Sequence, residues 1–196
     1  MIKLFNKNKI LFFLIISIIL VFIISLILYF TVDKKYILVI NNRIISYIKN
    51  TSSVKFNLKS LYKNLFNNIS YNFIIWFLGV SIIGIFFLLF LFYLNCFVSL
   101  FEIISLFSYY KFSNILFTIT YSLYNIVNLV IITIIYYYAI TYSIILFKYL
   151  FLKKDYSIQV ITRRYLKILI FLLIYSFIQS IIDIYLFPNL IRFIIT

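Results

Sequence analysis

The side chains able to move a proton or hold a metal are few and scattered. Asp33, Glu102, Asp155 and Asp183 are the only carboxylates, histidine is absent, and Cys96 is the single cysteine. General acid–base work needs a donor and an acceptor held against one substrate, and no two of these acids share a helical turn. Zinc sites draw on clusters of His, Cys and carboxylate; one cysteine can form neither such a cluster nor an internal disulfide. The H-E-x-x-H and G-x-S-x-G signatures, an aspartate pair and a glycine-rich phosphate loop are all missing. Serine, threonine and tyrosine hydroxyls abound, but no base is placed to activate one. The sequence therefore predicts no catalytic residue, no cofactor and no metal, and a chain that is not an enzyme.

Four polar residues stand out because their surroundings are apolar. Glu102 and Asp183 are ionisable groups in hydrophobic segments, Asp183 one turn from Gln179 and Ser180, and Asn125 and Asn128 place two amides in another. A charge or amide at membrane depth is costly and marks an ion or proton pathway by default. Two isolated acids make a poor relay, however. The simpler reading has Glu102 protonated or bonded to an asparagine, Asp183 at the interface, and Cys96 as a small core residue.

The cations point to lipid. Eighteen Lys and Arg against four acids give a net charge of +14, a balance that also suits nucleic acid. Here, however, the lysines flank apolar runs, as membrane headgroups favour, so membrane lipid is the expected partner and nucleic acid is not. Part of the basic and aromatic excess, with 24 Phe and 19 Tyr beside 2 Gly and 1 Pro, reflects the Ile/Asn/Lys/Phe/Tyr bias of an AT-rich coding sequence. Arg163, Arg164 and Lys167 form a basic group suited to anionic lipid or to ordinary topology charge.

These residues must be positioned by membrane helices. The chain is 66% hydrophobic and 11% charged, whereas a soluble domain is about half apolar and one quarter charged. The pattern predicts an all-α integral membrane protein forming a single domain, with about five transmembrane helices and an interfacial amphipathic helix. The first span covers about 10–30, behind Lys3, Lys7 and Lys9; it is too long for a signal-peptide core and has no small-x-small cleavage site after it. Residues 31–70 form an extracytoplasmic loop. Within it Lys55, Lys59 and Lys63 recur every four residues beside Leu58, Leu61, Leu65 and Ile69, with Ser52 or Ser53 as cap. That periodicity describes a helix lying in the interface, or one packed on the protein's own bundle.

The second span covers about 71–94, with Trp76 as an interfacial anchor near its start. It holds the only two glycines, Gly79 and Gly84, which are five apart and so form no G-x-x-x-G face but suit tight helix packing; Ser81 and Gly84, about one turn apart, give a small face for close helix approach. The third span covers about 96–110. The fourth covers 113–147, with a possible break near Asn125 separating a short re-entrant piece. A basic cytoplasmic loop fills 148–165, and the last span covers 166–187, stopped by Pro188. With the N-terminus inside, nine Lys and Arg fall on each side, so the positive-inside rule does not decide the orientation. N-in is preferred because the first span often dominates.

The junction Leu61-Tyr62-Lys63-Asn64-Leu65-Phe66-Asn67-Asn68, followed by Trp76, Gly79 and Gly84 in a W-x-x-G-x-x-x-x-G pattern, resembles the stage II sporulation protein M family. The layout resembles it too: one N-terminal span, a loop, a continuous apolar block, a basic loop and a Tyr185-Leu186-Phe187-Pro188 ending. Two departures are visible. Asn95-Cys96 stands where the family carries glycines, and only Asn125 matches the proline-flanked polar pair of the fourth span. The resemblance implies a non-enzymatic scaffold in the cell membrane, at the septal or engulfing membrane. Such a scaffold anchors a peptidoglycan-remodelling complex with stage II sporulation proteins D and P during forespore engulfment. The alternative reading of the residues is a permease-like transporter subunit, which needs polar groups converging on a midplane cavity.

Overall fold

The computed structural model describes residues 9–39, 41–42, 46, 57–110, 115–153 and 157–189. All regular structure among them is helical. Five long helices carry the fold: α1 (Lys9–Thr31), α2 (Leu58–Gly79), α3 (Gly84–Tyr110), α4 (Ile115–Leu152) and α5 (Ile158–Ile181). The last continues through a widened π turn, Ile182–Leu186, and stays helical to residue 189. α1, α3, α4 and extended α5 are long and apolar enough to cross a membrane. Their outer faces are hydrocarbon: on α1, Ile19, Leu20 and Ile27 are more than half exposed, a surface that lipid, not water, would cover.

Side-chain contacts set the helix directions. Ser17 meets Tyr93 at 3.1 Å and Tyr29 packs on Phe101, so α1 and α3 run parallel. Asn95 meets Tyr136 and Glu102 meets Tyr121, so α3 and α4 are antiparallel. α2 and α5 are antiparallel along most of their length. The apolar core is a layer of Leu14, Ile75, Leu88, Phe92, Ile135, Tyr136 and Leu172, with the Phe92 and Tyr136 rings edge to face at 5.4 Å. Cys96 is buried in the same layer.

Several expected boundaries are corrected. The span anticipated over 71–94 is two helices, because the chain turns at 80–83. Val80 and Ser81 donate to the carbonyls of Phe77 and Leu78, both at 3.0 Å, tightening the end of α2. A Cβ on Gly84 would overlap the Leu78 carbonyl, so this turn requires the missing side chain. No boundary falls at 95: α3 runs unbroken through it, since the Asn95 amide finds partners inside the bundle.

The anticipated loop 31–70 ends early, because α2 begins at Leu58 and carries the basic stripe straight into the bundle. Its cap is Asn57, whose side chain accepts from the Lys59 N–H at 3.0 Å; Ser52, Ser53 and Lys55 lie outside the described residues. α4 does not break near Asn125, because its backbone ladder is intact. Helix takes both ends of the expected 148–165 loop, since α4 runs to Leu152 and α5 starts at Ile158, and Lys153 has the left-handed conformation (φ 45°) that ends many helices. Nor does Pro188 end the last helix at 187. The preceding turn widens instead, relieving the crowding between the proline ring and the carbonyl four residues back.

Candidate functional site

The most distinctive feature of the interior is a polar seam between α2 and α5. Asn64, Asn68 and Asn72 recur every four residues and so share one face of α2. Asn64 Nδ2 donates to Asp183 Oδ2 at 3.2 Å, Asn68 Nδ2 to Ser180 Oγ at 3.0 Å, and Asn72 Nδ2 to Ser176 Oγ at 2.8 Å. Ser176 and Ser180 in turn donate to carbonyls one turn back on α5, at 2.8 and 2.7 Å. Each hydroxyl thus both gives and receives, which suits a segment without water.

The seam ends in an aromatic stack. Tyr165 lies between Trp76 (centroids 5.5 Å apart, planes 11°) and Tyr142 (4.1 Å, 2°). Tyr165 OH donates to the Trp76 carbonyl at 2.8 Å, and Trp76 Nε1 donates back to the Tyr165 carbonyl at 3.3 Å. Trp76 therefore does not stand near the start of its helix. It sits in the last turns of α2, half-buried against α5, because α2 begins well upstream of the expected position. Gly79 closes the same contact: a Cβ there would overlap the Tyr165 hydroxyl and lie 3.0 Å from Ala139.

Gly79 and Gly84 thus serve two different contacts, and the expected small face of Ser81 and Gly84 does not form because the chain turns between the helices there. Ser81 lies in the turn, its carbonyl accepting from Ser143 Oγ at 2.6 Å. A second polar centre joins three helices, where Asn95 Nδ2 donates to Tyr136 OH at 3.0 Å and also to Tyr71 OH.

The intramembrane acids are apart. Glu102 on α3 accepts from Tyr121 OH at 3.1 Å, a tyrosine rather than the expected asparagine. Asp183, in the widened turn, accepts from Asn64 and Tyr124 through its two oxygens. Asn128 Oδ1 accepts from Tyr175 OH, while the Asn125 amide nitrogen is buried without a hydrogen-bond partner. Lys59 and Lys63 are exposed on α2. Among the described residues no three His, Cys, Asp or Glu side chains group as metal ligands.

Sequence reasoning missed the asparagine ladder and the Tyr71–Asn95–Tyr136 centre. The four-residue Asn spacing is the available signal, and it runs beside the more conspicuous lysine stripe. Comparison with protein-family models, curated proteins and solved structures returns no match.

Proposed function

We propose that this chain is a multi-pass, non-enzymatic membrane scaffold in which α2 is a fifth crossing helix. The carrying observation is the α2–α5 seam, where the amide and hydroxyl groups pair helix to helix instead of facing an open path. A 22-residue helix is about 33 Å long, enough for the hydrocarbon core. α2 is less apolar than the other four helices because its polar groups serve α5. On this reading the protein anchors a peptidoglycan-remodelling complex containing stage II sporulation proteins D and P during engulfment. The Trp76, Gly79 and Gly84 pattern supports that assignment, all three lying at contacts that admit little else.

The test is to express a tagged chain in a sporulating host and isolate its membrane complex at septation. Recovery of proteins D and P, with loss of their septal localisation on deletion, is expected. Normal engulfment and normal localisation in the deletion strain would end this reading.

One observation favours the alternative transport role. A cleft of about 280 Å³ opens between α4 and α5 beside Tyr124, Asn128 and Tyr175, and Tyr124 is bonded to Asp183. A transporter relying on Asp183 loses function in Asp183→Asn at normal protein level; a scaffold does not.

A further inference from the structure

We propose that the groove between the second half of α4 and the first half of α5 holds one anionic phospholipid. Its phosphate is gripped by Arg164 and Lys167, and an acyl chain lies along the cleft. The groove encloses about 460 Å³ and is walled by Tyr138, Ile145, Ile161 and Ile168. Its floor is the stacked pair Tyr142 and Tyr165. Both hydroxyls are already engaged, Tyr165 with the Trp76 carbonyl and Tyr142 with Thr162 at 3.0 Å. The floor therefore offers ring surface, suited to hydrocarbon.

The charge is on one side only. Arg164 and Lys167, three residues apart on one helix face, are the charged members of the lining, both exposed, and no carboxylate lines the groove. Among the described acids, Glu102 and Asp183 are committed to other partners. Lys167 precedes Ser176, which lies near the middle of the candidate span Ile158–Asn189, by nine residues. That places it roughly 14 Å along the axis, against a hydrocarbon half-thickness of about 15 Å. The cations thus sit at headgroup depth with the apolar cleft beside them. A guanidinium fork takes two phosphate oxygens, the ammonium a third. A free phosphate ester satisfies the cations but leaves the cleft empty, and a zwitterionic lipid brings its own ammonium against them. The site requires only that α4 and α5 cross a bilayer, not the scaffold role.

The test is native mass spectrometry of the full chain released from detergent, titrated with phosphatidylglycerol, phosphatidylcholine or glycerol phosphate. Retention of one phosphatidylglycerol is expected, with phosphatidylcholine and glycerol phosphate failing to compete. Arg164→Gln with Lys167→Gln should weaken it about thirtyfold, roughly fivefold per charge. The charge-keeping pair Arg164→Lys with Lys167→Arg should retain most binding, and Arg163→Gln, outside the lining, should retain all of it. Equal weakening by Arg163→Gln would show diffuse surface charge and overturn the site. Competition by glycerol phosphate would overturn the lipid as occupant.

Discussion

Replacing Gly79 with alanine adds one methyl at the tightest contact of α2. That methyl would overlap the Tyr165 hydroxyl and lie 3.0 Å from Ala139 Cα and Cβ. The backbone itself does not resist, since no glycine here has positive φ, and alanine gains up to about 1 kcal/mol over glycine in helix propensity. Against this, overpacking costs about 1–3 kcal/mol. Displacing the Tyr165 hydroxyl also breaks its 2.8 Å bond to the Trp76 carbonyl, worth about 0.6–1.7 kcal/mol in a membrane bundle. The net expectation is a loss of about 1–3 kcal/mol. The cause can be isolated by a cycle with Tyr165→Phe, which deletes the colliding atom while keeping the ring stack. In that background Gly79→Ala should cost at least about 1 kcal/mol less, because the hydrogen bond is already gone and only the milder contact with Ala139 remains. Reversible unfolding in mixed detergent micelles, followed by tryptophan fluorescence from Trp76, measures all four corners. A Gly79→Ala protein as stable as the parent, or an equal cost in both backgrounds, would refute the packing argument.

Four further outcomes are expected. With Cys96 replaced, cysteines introduced at 40–50 should react with a membrane-impermeant maleimide in intact cells while those at 155–160 should not; the reverse pattern would invert the orientation. Asn72→Ala should cost only about 0.5–1.5 kcal/mol in the same unfolding assay, because Ser176 keeps its bond to the Leu172 carbonyl at 2.8 Å; a loss of all folded protein would mean the seam is far more cooperative. Glu102→Gln and Asp183→Asn, singly and together, should leave engulfment near normal in sporulating cells. Lys55, Lys59 and Lys63 changed together to Glu should disturb membrane docking or partner assembly, and normal sporulation in that triple variant would remove the basic stripe from the interaction surface.

How much was legible in the sequence depended on the kind of signal. Apolar runs gave α1 and the bulk of α3, α4 and α5, because hydropathy reports burial in lipid whatever the neighbours are. The break at 80–83 was hidden because the turn is built from apolar residues, Val80 and Ile82 among them, flanked by glycines that equally suit helix packing. α2 was divided for the opposite reason: the expected amphipathic helix ending near Ile69 and the expected span starting near Tyr71 are one helix, and the polar face of Asn64, Asn68 and Asn72 looks unlike a bundle helix until α5 supplies Asp183, Ser180 and Ser176. The proposed break at Asn125 failed because an amide side chain does not disturb a helix whose backbone bonds are kept. Gly79 as a packing position was readable in advance; that its neighbour would be the hydroxyl of a residue 86 positions later (165 − 79) was not.

The α2–α5 seam also bears on how the chain is made. A ribosome delivers α2 nearly one hundred residues before Ser176 and Asp183 exist, so the asparagine face must reach the translocon without its partners. Because α1 and α3 run parallel, a bilayer that both cross requires α2 to carry the chain back before α3 enters, so on the proposed reading α2 crosses with its amides unpaired, at a cost that α5 later removes. A chain cut before residue 158 would keep that cost and leave α2 exposed to the membrane proteases.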